Sequence, residues 1–313
     1  MAAKKYYRLK LWLFSSLIAS TVVAQDNPYQ VVYHWGELPG GRPMGIVTGV
    51  QPDPDGEHLW IIERCSANQC AGSDHHPIHK LDMQGKTVKS IGAGLFAWPH
   101  GFDMDEEGNF WITEGAPEGD ARGAPGAERG MGHQVVKINQ EGEVLMRLGE
   151  AGVPGDDQIH FNGPSAIIVA PDGDFWVADG HRGGNNRIIK FSENGEFLFQ
   201  LGGGVNDTSR ESARFNDPHD LKIDSQGRLF VADRGNNRIQ IFNQDGELLD
   251  IWTQFGRPGP PNLPQMIQPG AWFPKVLAPW PLGAWSPGVL ESGRPEADFF
   301  GGLGGSAPQE SRA

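Results

Sequence analysis

The sequence predicts an all-β fold assembled from four-stranded antiparallel meanders. Three observations carry the prediction. Short apolar runs alternate with Asp-Gly, Asn-Gly and Gly-Asn turn chemistry; the same order of runs and turns recurs along the chain; and beyond the first residues no stretch keeps a helical period. A single meander has two edges and two apolar faces that it cannot bury alone. Repeated sheets stacked face to face as the blades of a β-propeller solve that problem.

Residues 215–252 hold the clearest copy, with strands expected at 221–223, 229–232, 238–242 and 248–252 and turns at 224–227, 233–237 and 243–246. Taken in order, blades are expected at 43–91, 96–148, 161–201 and 215–252, after a lead-in over 27–41 that is the candidate ring-closing strand. A Gly-, Ala- and Pro-rich insertion, 115–132, interrupts the second blade, and long connections of this kind often border a site. The register starts again at Phe255-Gly256-Arg257-Pro258 and then stops. Residues 259–313 form an irregular tail with isolated Trp272, Trp280 and Trp285 and no Asp-Gly turn. Its aromatic content is too high for an ordinary low-complexity segment, so it reads as a shifted frame or a truncation of blade sequence.

The 313 residues carry a formal net charge of -13, which argues against a nucleic-acid partner because nothing would neutralise phosphates. Lys4, Lys5, Arg8 and Lys10 precede an apolar run over 11–23, with Val22 and Ala24 at the positions a signal peptidase reads. Residues 1–24 are therefore expected to be a signal peptide, with the mature protein periplasmic or secreted; the alternative, an uncleaved anchor, would use a run shorter than the ~20 residues of a spanning helix. In an oxidising compartment the two cysteines, Cys65 and Cys70, are expected to form a local disulfide. Two free thiols, or a zinc site completed by His75, His76 or His79, are the alternatives.

Aligning the blades puts Met44, His100, Ser165 and His219 at one position after the early proline, at the start of the innermost strand. Two histidines from alternate blades facing one axis suit a metal held by imidazole nitrogens, the alternative being channel histidines bonded to backbone or water. A second aligned position follows the acidic end of strand two: Arg64, Gly115, Gly180 with His181 behind it, and Arg234. Guanidinium groups there would bind a carboxylate in a two-pronged fashion, unless they pair with a neighbouring acid. Arg187 and Arg238, in the repeated Asn-Arg-Ile steps, read as structural.

The Phe-x-x-Pro-His-x-Leu, Val-Ala-Asp-Arg-Gly-Asn-Asn-Arg-Ile-Gln and Asp-Gly-Glu steps resemble NHL repeats, and their arrangement from Met44 to Pro258 resembles the peptidyl-α-hydroxyglycine α-amidating lyase branch. The resemblance implies a six-bladed propeller, of which four blades are recognisable here. It also implies a catalytic zinc on three channel histidines, a structural calcium, and cleavage of a peptidyl-α-hydroxyglycine into a peptide amide and glyoxylate. His100 and His219 match two of the zinc histidines, Arg64 the arginine that grips the substrate carboxylate, and Arg234 a second channel arginine. Two departures stand out. His181 replaces a catalytic tyrosine, and no histidine follows Pro258 to supply the third ligand unless His181 turns inward. A non-catalytic propeller that binds a peptide, glycan or protein partner is the alternative function; it would need no metal. A lactonase-like propeller would need a calcium cage of Glu, Asn and Asp, whereas the acidic and amide residues here fall mainly in turns.

Overall fold

The structure, a computed structural model, describes residues 32, 35–115, 130–203, 214–254 and 256–258. The signal segment, most of the 115–132 insertion and the 259–313 tail lie outside the described residues. The rest is all-β, with short 3-10 turns at Pro39–Gly41 and Arg234–Asn236. No described helix is long and apolar enough to cross a membrane.

Among the described residues sixteen strands form four antiparallel sheets of four, each in simple sequence order. Blade one holds β1 (Val47–Pro52), β2 (His58–Glu63), β3 (Ile78–Asp82) and β4 (Thr87–Ile91). Blade two holds β5 (Pro99–Met104), β6 (Phe110–Glu114), β7 (Gln134–Ile138) and β8 (Val144–Leu148). Blade three holds β9 (Pro164–Val169), β10 (Phe175–Asp179), β11 (Arg187–Phe191) and β12 (Phe197–Gly202). Blade four holds β13 (Pro218–Ile223), β14 (Leu229–Asp233), β15 (Arg238–Phe242) and β16 (Leu248–Trp252). All four sheets fall at the expected places, and the innermost strands β1, β5, β9 and β13 lie side by side in that order. The lead-in adds no strand to a sheet among the described residues. Glu37 makes an isolated parallel bridge to Lys86, at the turn of the blade-one outer hairpin.

The apolar faces meet between blades. Trp60, Ile62 and Ile78 of blade one pack on Phe102, Phe110 and Val136 of blade two; Trp111 and Val135 pack on Ile167, Phe175 and Ile189 of blade three; Trp176 and Ile188 pack on Leu221, Val231 and Phe242 of blade four. Burying a side chain of this size contributes roughly 1.5–3 kcal/mol. Gly101 belongs to this closeness, because a Cβ there would stand 2.7 Å from the Ala166 Cα of the next inner strand.

Two features carry the fold toward the site. Each inner strand is irregular at its start: the register slips between Val47 and Gly49, between Pro99 and Phe102, opposite Ala178–Asp179, and between Pro218 and Leu221. The extra residue of a β-bulge leaves the ladder and its side chain is re-aimed; here those residues are Thr48, His100, Ser165 and His219. The blade-one equivalent of His100 is therefore Thr48, not Met44, since Val47 pairs with Glu63 as Pro99 pairs with Glu114. β5, β9 and β13 also begin at prolines, which tolerate a first position without a donor, so the fourth-blade inner strand starts at Pro218 rather than at residue 221.

The second feature is a buried carboxylate at the end of each second strand. Glu63 accepts from the Gly45 and Ser66 amides, Glu114 from Ala97 and Trp98, Asp179 from Asn162, and Asp233 from Asn216. These bonds latch the segment entering each blade to its second strand. Arg187 and Arg238 close on Asp179 and Asp233 at 3.0 and 2.7 Å, the structural part their repeated motif suggests.

Candidate metal centre

His100 and His219 are the second residues of β5 and β13, one blade apart across β9. Their ring centroids are 4.8 Å apart, with the planes at 73°. His181 lies two residues past the end of β10, in a loop that starts at Gly180, where a Cβ would stand 2.6 Å from the Asn186 amide nitrogen. This tight turn brings its ring to 4.8 Å from His100 and 4.9 Å from His219. One nitrogen from each of the three lies within 4.8 Å of the others, and all three residues are buried. Among the described residues this is the one group of three or more His, Cys, Asp or Glu side chains so placed.

The second nitrogens are held differently. His100 Nδ1 lies 2.6 Å from the Ser165 carbonyl, a geometry that puts its proton there and frees Nε2. His181 Nδ1 lies 3.1 Å from Asp217 Oδ1 and is fixed in the same sense. The buried Nδ1 of His219 has no hydrogen-bond partner among the described residues. Burial holds all three imidazoles below their ordinary range. The other two histidines add to this at His100, nearby Arg234 opposes the pull of Asp217 at His181, and His219 is pushed down to about 3 with Arg234 as the second cause. Three neutral imidazoles with converging nitrogens are a donor set for zinc, which takes three protein ligands and leaves a fourth position open in catalytic sites. With these nitrogens within 4.8 Å of one another, the three histidines would hold one such ion between them.

Arg64 follows β2 and is 5% exposed. Its Nε donates to the Pro99 carbonyl at 3.0 Å and its Nη1 to Asn68 Oδ1 at 2.6 Å, while its Cζ sits 3.9 Å above the Trp98 ring. Trp98 in turn stacks on His181, with centroids 5.5 Å apart and planes at 13°. Burial lowers the Arg64 guanidinium to about 10, Glu114 pulling against this and Arg182 with it. Cys65 and Cys70 form a disulfide immediately after Arg64, closing the loop that carries Asn68. Arg234 donates through Nε to Asp217 Oδ2 at 2.9 Å and also reaches it through Nη2, leaving Nη2 3.4 Å from His181 Nδ1. Of the two arginines expected to face a substrate carboxylate, Arg234 is thus taken up by a neighbouring acid, whereas Arg64 forms no ion pair among the described residues.

Ser165 lies outside the donor set; its hydroxyl bonds the Pro218 carbonyl at 2.7 Å, as Thr48 approaches that of Pro99. Sequence reasoning missed Trp98, Asn68 and Asp217. The first two follow or precede matched residues without a motif of their own, and Asp217 precedes Pro218 where the equivalent positions hold Ile46, Trp98 and Gly163, so no pattern marks it.

Residues 215–242 match the profile described as "NHL repeat". The chain is similar to a Xenopus laevis protein named peptidyl-glycine alpha-amidating monooxygenase B, 41% identical in an alignment 237 residues long that covers 68% of this chain and 25% of that protein. It is also similar to a Caenorhabditis elegans protein named probable peptidyl-alpha-hydroxyglycine alpha-amidating lyase pgal-1, 34% identical over 218 residues, 64% of this chain and 57% of that one. The chain thus spans between a quarter and somewhat over half of these relatives. A solved streptogramin B lyase superposes with a TM-score of 0.45 at 18% identity, over 66% of this chain and 54% of that one.

Proposed function

We propose that this protein is an extracytoplasmic, zinc-dependent lyase that splits a peptidyl-α-hydroxyglycine into a peptide amide and glyoxylate. The observation that carries the reading is the triangle of buried neutral imidazoles, His100, His181 and His219, linked through Trp98 to the buried guanidinium of Arg64. Similarity to relatives named as amidating enzymes supports it. The disulfide supports an oxidising compartment.

In this reading His100, His181 and His219 would hold the ion. Zinc bound there would supply Lewis-acid polarisation of the substrate hydroxyl, making its proton easier to lose. Arg64, stacked on Trp98 and anchored by Pro99 and Asn68, presents its remaining Nη2 edge to the substrate carboxylate. Held at that end, the substrate has its α-carbon fixed relative to the imidazoles. The C–N bond breaks as the α-carbon oxygen becomes a carbonyl; the hydroxyl proton is lost and the leaving amide nitrogen gains one, so the products are the amide and glyoxylate. With their free nitrogens given to the ion, His100, His181 and His219 would not take that proton.

The test is metal content by mass spectrometry, with glyoxylate release from N-benzoyl-α-hydroxyglycine, for the purified full chain and a His100→Ala, His219→Ala variant. Near-stoichiometric zinc and glyoxylate release, both lost in the variant, are expected. A folded protein with neither would overturn the reading and leave a propeller that binds a peptide, glycan or protein partner.

A further inference from the structure

Asp217 stands at the meeting point of three segments. Its backbone adopts the left-handed conformation, φ 55°, and its amide donates to Asn186 Oδ1 at 2.9 Å. From there one carboxylate oxygen, Oδ1, receives His181 Nδ1 at 3.1 Å and the Arg182 amide at 3.3 Å. The other, Oδ2, receives Arg234 through both Nε and Nη2. Guanidinium groups only donate, so Arg234 holds the carboxylate from one side and leaves Oδ1 to the imidazole.

We propose that Asp217 is the positioning residue of the histidine triangle: it fixes the His181 proton on Nδ1 and turns Nε2 toward His100 and His219, while Arg234 acts through Asp217 by clamping it. The inference rests on the metal-centre reading above. Of the three second nitrogens only that of His181 meets a charged acceptor; His100 meets a carbonyl, and His219 Nδ1 meets no hydrogen-bond partner among the described residues. A carboxylate behind an imidazole orients the ring and strengthens its free nitrogen as a donor to metal. Removing Asp217 therefore weakens the ligand that the repeat pattern alone does not supply.

The experiment uses the full chain stripped with a chelator. Zinc affinity is measured by competition with a chromophoric chelator for the wild type, Asp217→Asn, Arg234→Met and the double variant, and the His181 tautomer is read by long-range proton–nitrogen NMR of the metal-free protein. Asparagine tolerates the same left-handed backbone, so D217N keeps the local fold, and melting curves check this. D217N is expected to bind zinc about 10- to 100-fold more weakly and to lose the fixed Nδ1–H signature. R234M is expected to weaken binding less, and the double variant to bind no more weakly than D217N, because both residues act on one contact. Wild-type affinity in D217N, an unchanged His181 tautomer, or additive losses in the double variant would overturn the proposal. A wild type whose zinc binding depends on Asp217 but which releases no glyoxylate would sink the lyase reading and leave this one standing. A wild type that binds no zinc would sink both.

Discussion

Replacing Arg187 by methionine tests how the loop that carries His181 is held. Arg187 is 1% exposed and Asp179 fully buried, and the pair closes residues 180–186 from both ends at 3.0 Å. The guanidinium also donates to the Asp156, Asp157 and His160 carbonyls and to Gln200 Oε1. Removing one member of a buried pair costs about 3–5 kcal/mol, because the other charge stays desolvated. Asp179 keeps the Asn162 amide at 2.7 Å and Asn185 Nδ2 at 2.8 Å, which favours the lower end, about 3 kcal/mol. For a domain of this size each kcal/mol moves Tm by roughly 2–4 °C, so R187M is expected to melt about 6–12 °C below the wild type at pH 7.

Two controls separate the mechanism from a simple loss of packing. Burial already pushes the Asp179 carboxyl up against the pull of Arg187, Asn185 and the Asn162 amide, and without Arg187 it rises further. A carboxyl raised in the folded state is destabilising above that raised value and is relieved as pH falls through it, so the R187M deficit should shrink as pH is lowered from 7. Asp179→Asn, Arg187→Met strands no charge and should recover part of the loss. Circular-dichroism melts across pH measure both. R187M melting within about 2 °C of the wild type, or a double variant as unstable as the sum of the singles, would show that a stranded Asp179 charge does not set the loss.

Two further outcomes follow from the same geometry. Burial tends to raise the Glu63 carboxyl, but His79, Arg42 and the Ser66 and Gly45 amides bring it down from 4.5 to about 2. Stability from this group is fully present above pH 4.5 and lost as pH falls through 2, on the order of 3 kcal/mol, so wild-type Tm should drop more steeply than that of Glu63→Gln across that window, and parallel curves would contradict it. Asn68→Ala removes the Arg64 Nη1 partner and is expected to raise KM for N-benzoyl-α-hydroxyglycine about tenfold, with kcat within about twofold, as a lost hydrogen bond to a charged group predicts; an equal fall in kcat at constant KM would count against Arg64 as the carboxylate grip.

The four sheets, the acidic ends of the second strands and the inward placement of His100 and His219 were legible in the chain alone, because these are local and repeated: a Gly or Asn turn, a period of two and a proline at a strand start say the same thing in each copy; that the acids latch the entering segments was not. The structural part of Arg187 and Arg238 was legible for the same reason, each standing five to eight residues from its acid. The blade-one register was not, since a bulge adds a residue whose presence depends on pairing across the sheet, and Thr48 therefore replaces Met44 at the inner position. Nor did any pattern show that His181 joins the pair. Its ring is aimed by Asp217, 36 residues away, and backed by Trp98 from another blade. Only the packing of one blade on the next decides which loop side chains meet, because residues distant in the chain become neighbours through that packing and not through the grammar of any one repeat.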